Sequence, residues 1–447
     1  MIDFLGAELL SFILNKLFKA GENLFNNISN KKKELKIENF YKVLEDEDFK
    51  RFEKTFLKKY YTDSCFTTVN GREYPVYFYR FSKVLEDKTN EKGVRKYDFL
   101  SDADKLDTKF DVKKHKKYKE LPYYREYSEI VGGNIRFPDR PGYMLDELVL
   151  NSFNEIEKVN VHIGTYAENV YSNHVLEFEM VEAFKHFRYM IENESSWDEI
   201  RRFMRIRNSM HKNITFDNTS DFIESMKKSL SRGDGRDSLL SVQMLVLMKD
   251  KRTKKYLIKI IQRSTSVAIA PGRFQIVPSG GFEILNDSDP GYSEYELRDN
   301  LSPGCAVFRE YLEEIFGAEE FEGHGKGSVN EALLKDEKIK KIEEMLLEGS
   351  ADFRFLGSIV DLAGLRNELS FVLVIKDSDY ATNNKFLGNE ESISKNFISG
   401  VSLDNFEERE DIWDNLHGPS AVMWQLFKDS DLYNKLINEE TEPVEIS

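Results

Sequence analysis

Residues 306–317 read Ala306-Val307-Phe308-Arg309-Glu310-Tyr311-Leu312-Glu313-Glu314-Ile315-Phe316-Gly317. Phe308, Tyr311, Leu312 and Ile315 recur at helical spacing and suit a core. Glu310, Glu313 and Glu314 stand at i, i+3 and i+4, so on a helix their carboxylates share one face. Three adjacent carboxylates repel one another unless a cation lies among them, and hard divalent ions favour such oxygens. A solvated acidic face explains the helix alone equally well. Its surroundings must decide.

Outward from this helix the pattern is strand-like. Val242 to Met248 and Tyr256 to Gln262 are β-rich runs flanking a charged turn, Lys249 to Lys255, and together predict a hairpin. Ala268 to Val277 leads into Pro278-Ser279-Gly280-Gly281. A charged helix from Asn330 to Leu347 follows the acidic one. Two more strands, Phe353 to Val360 and Leu369 to Ile375, precede a helix around Ser420 to Lys428. The order implies an α+β chain whose second half is a mixed sheet layered with helices.

Arg309 to Glu314 resembles the Arg-Glu-hydrophobic-any-Glu-Glu core of the Nudix box. Ala306 matches the alanine that precedes the arginine, and Gly280-Gly281 resembles the glycine pair that opens the box. On this resemblance, residues from about Ser238 to Leu436 form a Nudix-like α/β/α sandwich. It implies a metal-dependent hydrolase cleaving a phosphoanhydride in a nucleoside-diphosphate-linked or nucleotide substrate, with Mg2+ or Mn2+. The alternative is a domain that senses a nucleotide without turnover and reports to a partner through the first half. Carried over, Glu310, Glu313 and Glu314 bind metal, one of them accepting a proton from water. Arg309 orients a glutamate and the Gly281 carbonyl completes a metal shell; Arg273, Phe274, Tyr292 and Trp413 are candidates to hold phosphate or base, although a structural role explains each of them at least as well. The sequence departs from the pattern in three places. Gly281 and Arg309 stand 28 positions apart, roughly twice the family spacing. Leu301 occupies the place of a box glutamate, for which Glu283, Glu294 or Glu296 are substitutes that the sequence does not rank. Gly317 falls one place late.

With 447 residues, two or three domains are expected. The 40% apolar and 13% aromatic content excludes a disordered chain, and 32% charged residues exclude a multi-pass membrane protein. Cys65 and Cys305 are the two cysteines, which leaves no disulfide scaffold and suits a reducing cytoplasm. From Arg236 onward there are 24 Lys and Arg against 39 Asp and Glu, so this half carries the whole net charge of -15. Such a field argues against nucleic acid as a partner and asks for cations beside a polyphosphate.

The first half, residues 1–235, is expected to be a mostly helical domain containing a β-hairpin. The second is 236–447, with the boundary in the polar, Gly-rich Ser229 to Asp237. Phe4 to Phe18 predicts an apolar helix, interrupted by Glu8 and Lys16, that serves self-association rather than membrane contact. Asn70-Gly71 between β-rich flanks predicts the hairpin, and Arg140-Pro141-Gly142 a turn. Leu145 to Phe187 reads mostly helical, as does Trp197 to Met210. The basic and aromatic run from Val112 to Tyr127 reads as a solvated surface. Arg205 and His211 have a spacing reminiscent of HEPN ribonucleases, which a basic helix face explains as well. His162, His174 and His186 are too widely spread for a local zinc motif.

Overall fold

The computed structural model describes residues 40–441 except 41, 103–126, 129–139, 191–196, 212–213, 215–219, 264–271, 286–293, 319–328 and 385–391. The Phe4 to Phe18 helix, most of the Val112 to Tyr127 run and Tyr292 lie outside the described residues. Helix α1 (Glu47–Tyr61) leads to β1 (Thr67–Val69), β2 (Arg72–Tyr74) and β3 (Val76–Arg80). Then come β4 (Ser101–Asp102), β5 (Pro141–Leu150), β6 (Ile156–Thr165) and α2 (Val175–Phe187). The second half supplies β7 (Ser241–Lys249), β8 (Tyr256–Arg263), β9 (Phe274–Ile276), β10 (Ser279–Gly281) and α3 (Pro303–Glu310). It continues with α4 (Glu337–Glu348), β11 (Ala351–Asp361), β12 (Arg366–Ile375), β13 (Ser392–Ser402) and α5 (Gly418–Lys428).

An eight-stranded mixed sheet runs β13-β8-β7-β12-β11-β3, with β9 paired to β8 and β10 to β7. Strands β7 and β12 are parallel, Ser241 beside Glu368 through Met248 beside Ile375, and the other neighbours are antiparallel. Alternation sorts the side chains between two cores. Val242, Met244, Val246 and Met248 enter one with Leu369, Phe371 and Leu373, whereas Leu245, Leu247, Val372 and Val374 enter the other. Both faces are therefore covered, which is why these strands read as continuous apolar runs. Each such side chain contributes about 1.5–3 kcal/mol by leaving water. Phe308 of α3 meets Phe353 with ring centroids 5.0 Å apart on the first face. Met423, Trp424 and Phe427 of α5 close the second. The protein is a helix–sheet–helix sandwich around a mixed sheet.

The first half packs into this sandwich. β3 pairs with β11, Val76 beside Asp361 through Arg80 beside Gly357, and forms one edge of the sheet. One core contains residues on both sides of Arg236, so the expected division at 235/236 does not coincide with a gap in packing. The Asn70-Gly71 hairpin is present as β1 and β2, with both turn residues at positive φ. The helical reading of Leu145 to Thr165 gives way to β5 and β6, and Arg140-Pro141-Gly142 is the entry to β5 rather than a turn. The reason is period-two alternation: Val159, Val161 and Ile163 alternate with Lys158, Asn160 and His162. Arg205 is exposed while His211 is buried, its ring between the Tyr61 hydroxyl at 3.2 Å and Ser229 Oγ at 2.9 Å. Burial, with Arg236 and Arg207 nearby, pushes the His211 pKa down to about 3. It is a neutral packing residue, which removes the ribonuclease-like reading.

Candidate active site

Helix α3 begins at Ser302, whose Oγ accepts the Cys305 amide at 3.2 Å, and Pro303 occupies its first turn. The first half braces this start. Ser302 Oγ donates to Asp98 Oδ1 at 2.5 Å, and Arg95 joins Asp98 at 2.6 Å to Asp299 at 2.8 Å. A Cβ on Gly304 would lie 1.8 Å from the Val94 carbonyl oxygen, so only glycine allows this approach. After Glu310 the winding loosens into a π turn over Tyr311–Ile315. Such a turn takes one more residue than an α turn, which accounts for Gly317 falling one place late. Gly317, at φ 64°, ends the helix: its amide reaches the Glu313 carbonyl at 3.0 Å and the Ala318 amide reaches that of Leu312 at 3.1 Å.

Strand β10 lies against the glutamates. A Cβ on Gly280 would come within 2.1 Å of the Glu310 carboxyl carbon, so the glycine pair is what lets backbone and carboxylate meet. The Ser279 amide donates to Glu314 Oε2 at 2.7 Å. Arg309 Nη2 donates to the Gly281 carbonyl at 3.2 Å and stands 3.5 Å from Glu310 Oε1. Gly280, Gly281, Arg309, Glu310 and Glu314 are thus one cluster, with Glu314 and Arg309 buried and Glu313 half-buried. Burial holds the Glu310 carboxyl well above the ordinary carboxylate range. Arg309 opposes this, and Glu313, Glu314 and Glu283 add to it.

Of the three carboxylates left unranked by sequence, Glu283 is the one that acts on Glu310. It follows β10 directly, bridges Gly142 of β5 and stands 3.8 Å from Arg140. Glu294 pairs with Arg298 at 2.9 Å on the separate Glu294–Asn300 helix, which also carries Glu296. Leu301 is buried in the core. The donor set and its excess negative charge fit a hard divalent ion. Its carboxylates are not drawn into a chelating group, since among the described residues no three His, Cys, Asp or Glu are gathered as metal ligands.

The remaining candidates separate. Trp413 is buried, its indole N–H donating to the Phe406 carbonyl at 2.8 Å, and is a core residue. Phe274 opens β9 and packs half-buried against the same core. Arg273 lines a cavity of about 320 Å³ between α1, the end of β11 and the start of α5, with Glu53, Glu177, Asp361, Arg366 and His417. Within it Arg366 pairs with Glu177 at 3.0 Å and Asp361 at 2.8 Å. Burial, with Asp361 adding to it, pushes neighbouring Glu368 up to about 7 against Arg366 and Arg263. A polar path joins this region to the glutamates: Arg263 donates to Gln275 Oε1, Gln275 to Ser279 Oγ, and the Ser279 amide to Glu314. Sequence reasoning singled out Arg273 but not the residues that line the cavity with it, because they come from segments far apart in the chain.

No family model matches the chain, and no curated protein matches it. A MutT/nudix family protein from Enterococcus faecalis has 13% identity over 42% of this chain and 52% of its own, with a TM-score of 0.20. A bifunctional NMN adenylyltransferase/ADP ribose pyrophosphatase from Francisella tularensis has 12% identity over 61% of this chain and 64% of its own, with a TM-score of 0.27. Its complex with AMP and Mn ion covers the same shares at a TM-score of 0.25. The chain spans between about half and just under two thirds of the structures it matches. Function has to be argued from the site.

Proposed function

We propose that the protein is a metal-dependent, Nudix-type hydrolase of the cytoplasm that cleaves a phosphoanhydride in a nucleotide-like substrate. The observation that carries this reading is Glu310, backed onto Gly280 among Glu313, Glu314 and Glu283 with Arg309 as its counter-charge. Glu310, Glu313 and Glu314 would hold Mg2+ or Mn2+, which when bound neutralises the diphosphate and lowers the pKa of an attacking water. Arg309 positions β10 by its bond to the Gly281 carbonyl. One of the three glutamates would accept the proton lost by water. Buried Cys65 and Cys305 take no part.

The test is release of phosphate or nucleotide from a panel of nucleoside triphosphates, dinucleotides and nucleoside-diphosphate sugars, with and without magnesium. Glu310→Gln should lower the rate at least about 100-fold while leaving the fold intact. Magnesium-independent turnover, or a variant as active as wild type, would sink the reading. Two observations favour the non-catalytic alternative: Leu301 is core, and among the described residues no three carboxylates are grouped as metal ligands. That alternative is chosen if nucleotide binds tightly and no product forms.

A further inference from the structure

The cavity between α1, the end of β11 and the start of α5 contains two kinds of charge. Arg366 forms ion pairs with Glu177 and Asp361, although its Nη1 makes no hydrogen bond. Arg273 is the largest charge acting on Glu53 of α1, but among the described residues neither side chain makes a hydrogen bond or a close ion pair. Both side chains are half-buried and reach solvent through the cavity, so a ligand bringing complementary groups would replace that water with direct bonds. The occupant must bring an anion to Arg273 and an N–H or O–H donor to Glu53. At about 320 Å³ the space is at the small end of ligand pockets, which run from about 300 to 1,000 Å³. Phe49, Tyr74 and Pro419 supply apolar walls suited to a flat ring. Free phosphate satisfies Arg273 alone, a nucleoside satisfies Glu53 alone, and a divalent ion would be repelled by Arg273.

We propose that this cavity binds the nucleoside monophosphate portion of a substrate, phosphate on Arg273 and an amino-bearing base or sugar hydroxyl on Glu53. The proposal deepens the hydrolase reading and rests on it for the occupant being part of a substrate. Residues 273–281 run from the cavity to the glutamate cluster through Gln275 and Ser279, so one continuous segment joins the two. Glu53 belongs to the first half of the chain, which makes that half a wall of the substrate site.

Calorimetry on the full-length chain in EDTA, with AMP, inorganic phosphate and adenosine as probes, tests this without turnover. AMP should bind at least about tenfold more tightly than either fragment, and Arg273→Ala and Glu53→Ala should each cost about tenfold or more. Arg273→Lys should recover part of the loss, and melting curves of all variants report whether they fold. AMP binding no tighter than phosphate, or unchanged in both alanine variants, overturns the proposal. Arg273-dependent AMP binding with no metal-dependent hydrolysis would reject the hydrolase and keep the cavity. Hydrolysis with a KM indifferent to Arg273 would do the reverse.

Discussion

Arg366 and Arg309 both sit among buried carboxylates, and they do opposite things. Arg366 reaches Glu177 at 3.0 Å and Asp361 at 2.8 Å, so both carboxylates have an ion-pair partner, although its Nη1 makes no hydrogen bond. Arg309 stands 3.5 Å from Glu310 and donates to the Gly281 carbonyl, while Glu313, Glu314 and Glu283 press further negative charge on Glu310. The first cluster fastens β11 and β12 to α2. The second is short of positive charge at the place where Gly280 leaves room for the Glu310 carboxylate. A buried acidic cluster becomes informative when its cations are counted and the deficit is located.

Removing the cation from the closed cluster should have the largest effect. Arg366→Met leaves Glu177 and Asp361 buried without a partner, and urea denaturation should show a loss of about 3–5 kcal/mol. A loss below about 1 kcal/mol would mean that the cluster is not closed. Adding a cation to the open cluster should come next. At a hundredfold excess over its dissociation constant, magnesium should stabilise the full chain by about 2.7 kcal/mol, beyond what sodium chloride does at matched ionic strength. The Glu313→Gln, Glu314→Gln double variant should lose most of that response. If it responds as wild type does, the carboxylates are not ligands.

The smallest effect is a slope with pH, and it tests whether the Arg366 region is fully balanced. Glu368 titrates near 7 in the folded chain against 4.5 for an ordinary glutamate. The folded state then holds the proton more tightly than the unfolded one. Its contribution favours folding below pH 4.5 and is lost as pH rises towards 7. Glu53 and Glu179, also raised to about 7, share this slope, so the readout is the difference between wild type and Glu368→Gln. The variant should show a flatter curve of denaturation midpoint against pH from 4.5 to 7; parallel curves would show that Glu368 is not the titrating group.

What could be read from sequence was what the chain encodes locally. Gly280-Gly281 and Arg309 to Glu314 form contiguous motifs, and the β7, β8, β11 and β12 runs are apolar because both their faces are covered. Leu145 to Thr165 failed because its apolar residues fit a helical spacing loosely and a strand spacing well. The π turn over Tyr311–Ile315 had a trace in the late Gly317 but needs coordinates to be seen. Glu283 could not be told from Glu294 and Glu296, since what distinguishes it is contact across β5 and β10. The cavity was least legible: Glu53, Glu177, Arg273, Asp361 and His417 share no pattern until the sheet brings them together.

The pairing of β3 with β11 also sets a timetable. Val76 to Arg80 is synthesised long before Gly357 to Asp361. At about 5–20 residues per second the wait is roughly 15–60 s. Through that interval β3 has no final partner, and its unpaired amides and carbonyls are open to any other strand edge, including one on a neighbouring nascent chain. The sheet is completed late, by contacts of long sequence separation, which is the slow class of folding event. Refolding of the full chain from denaturant should therefore be slow and concentration-sensitive in yield. Its best protection is the short length of β3 itself.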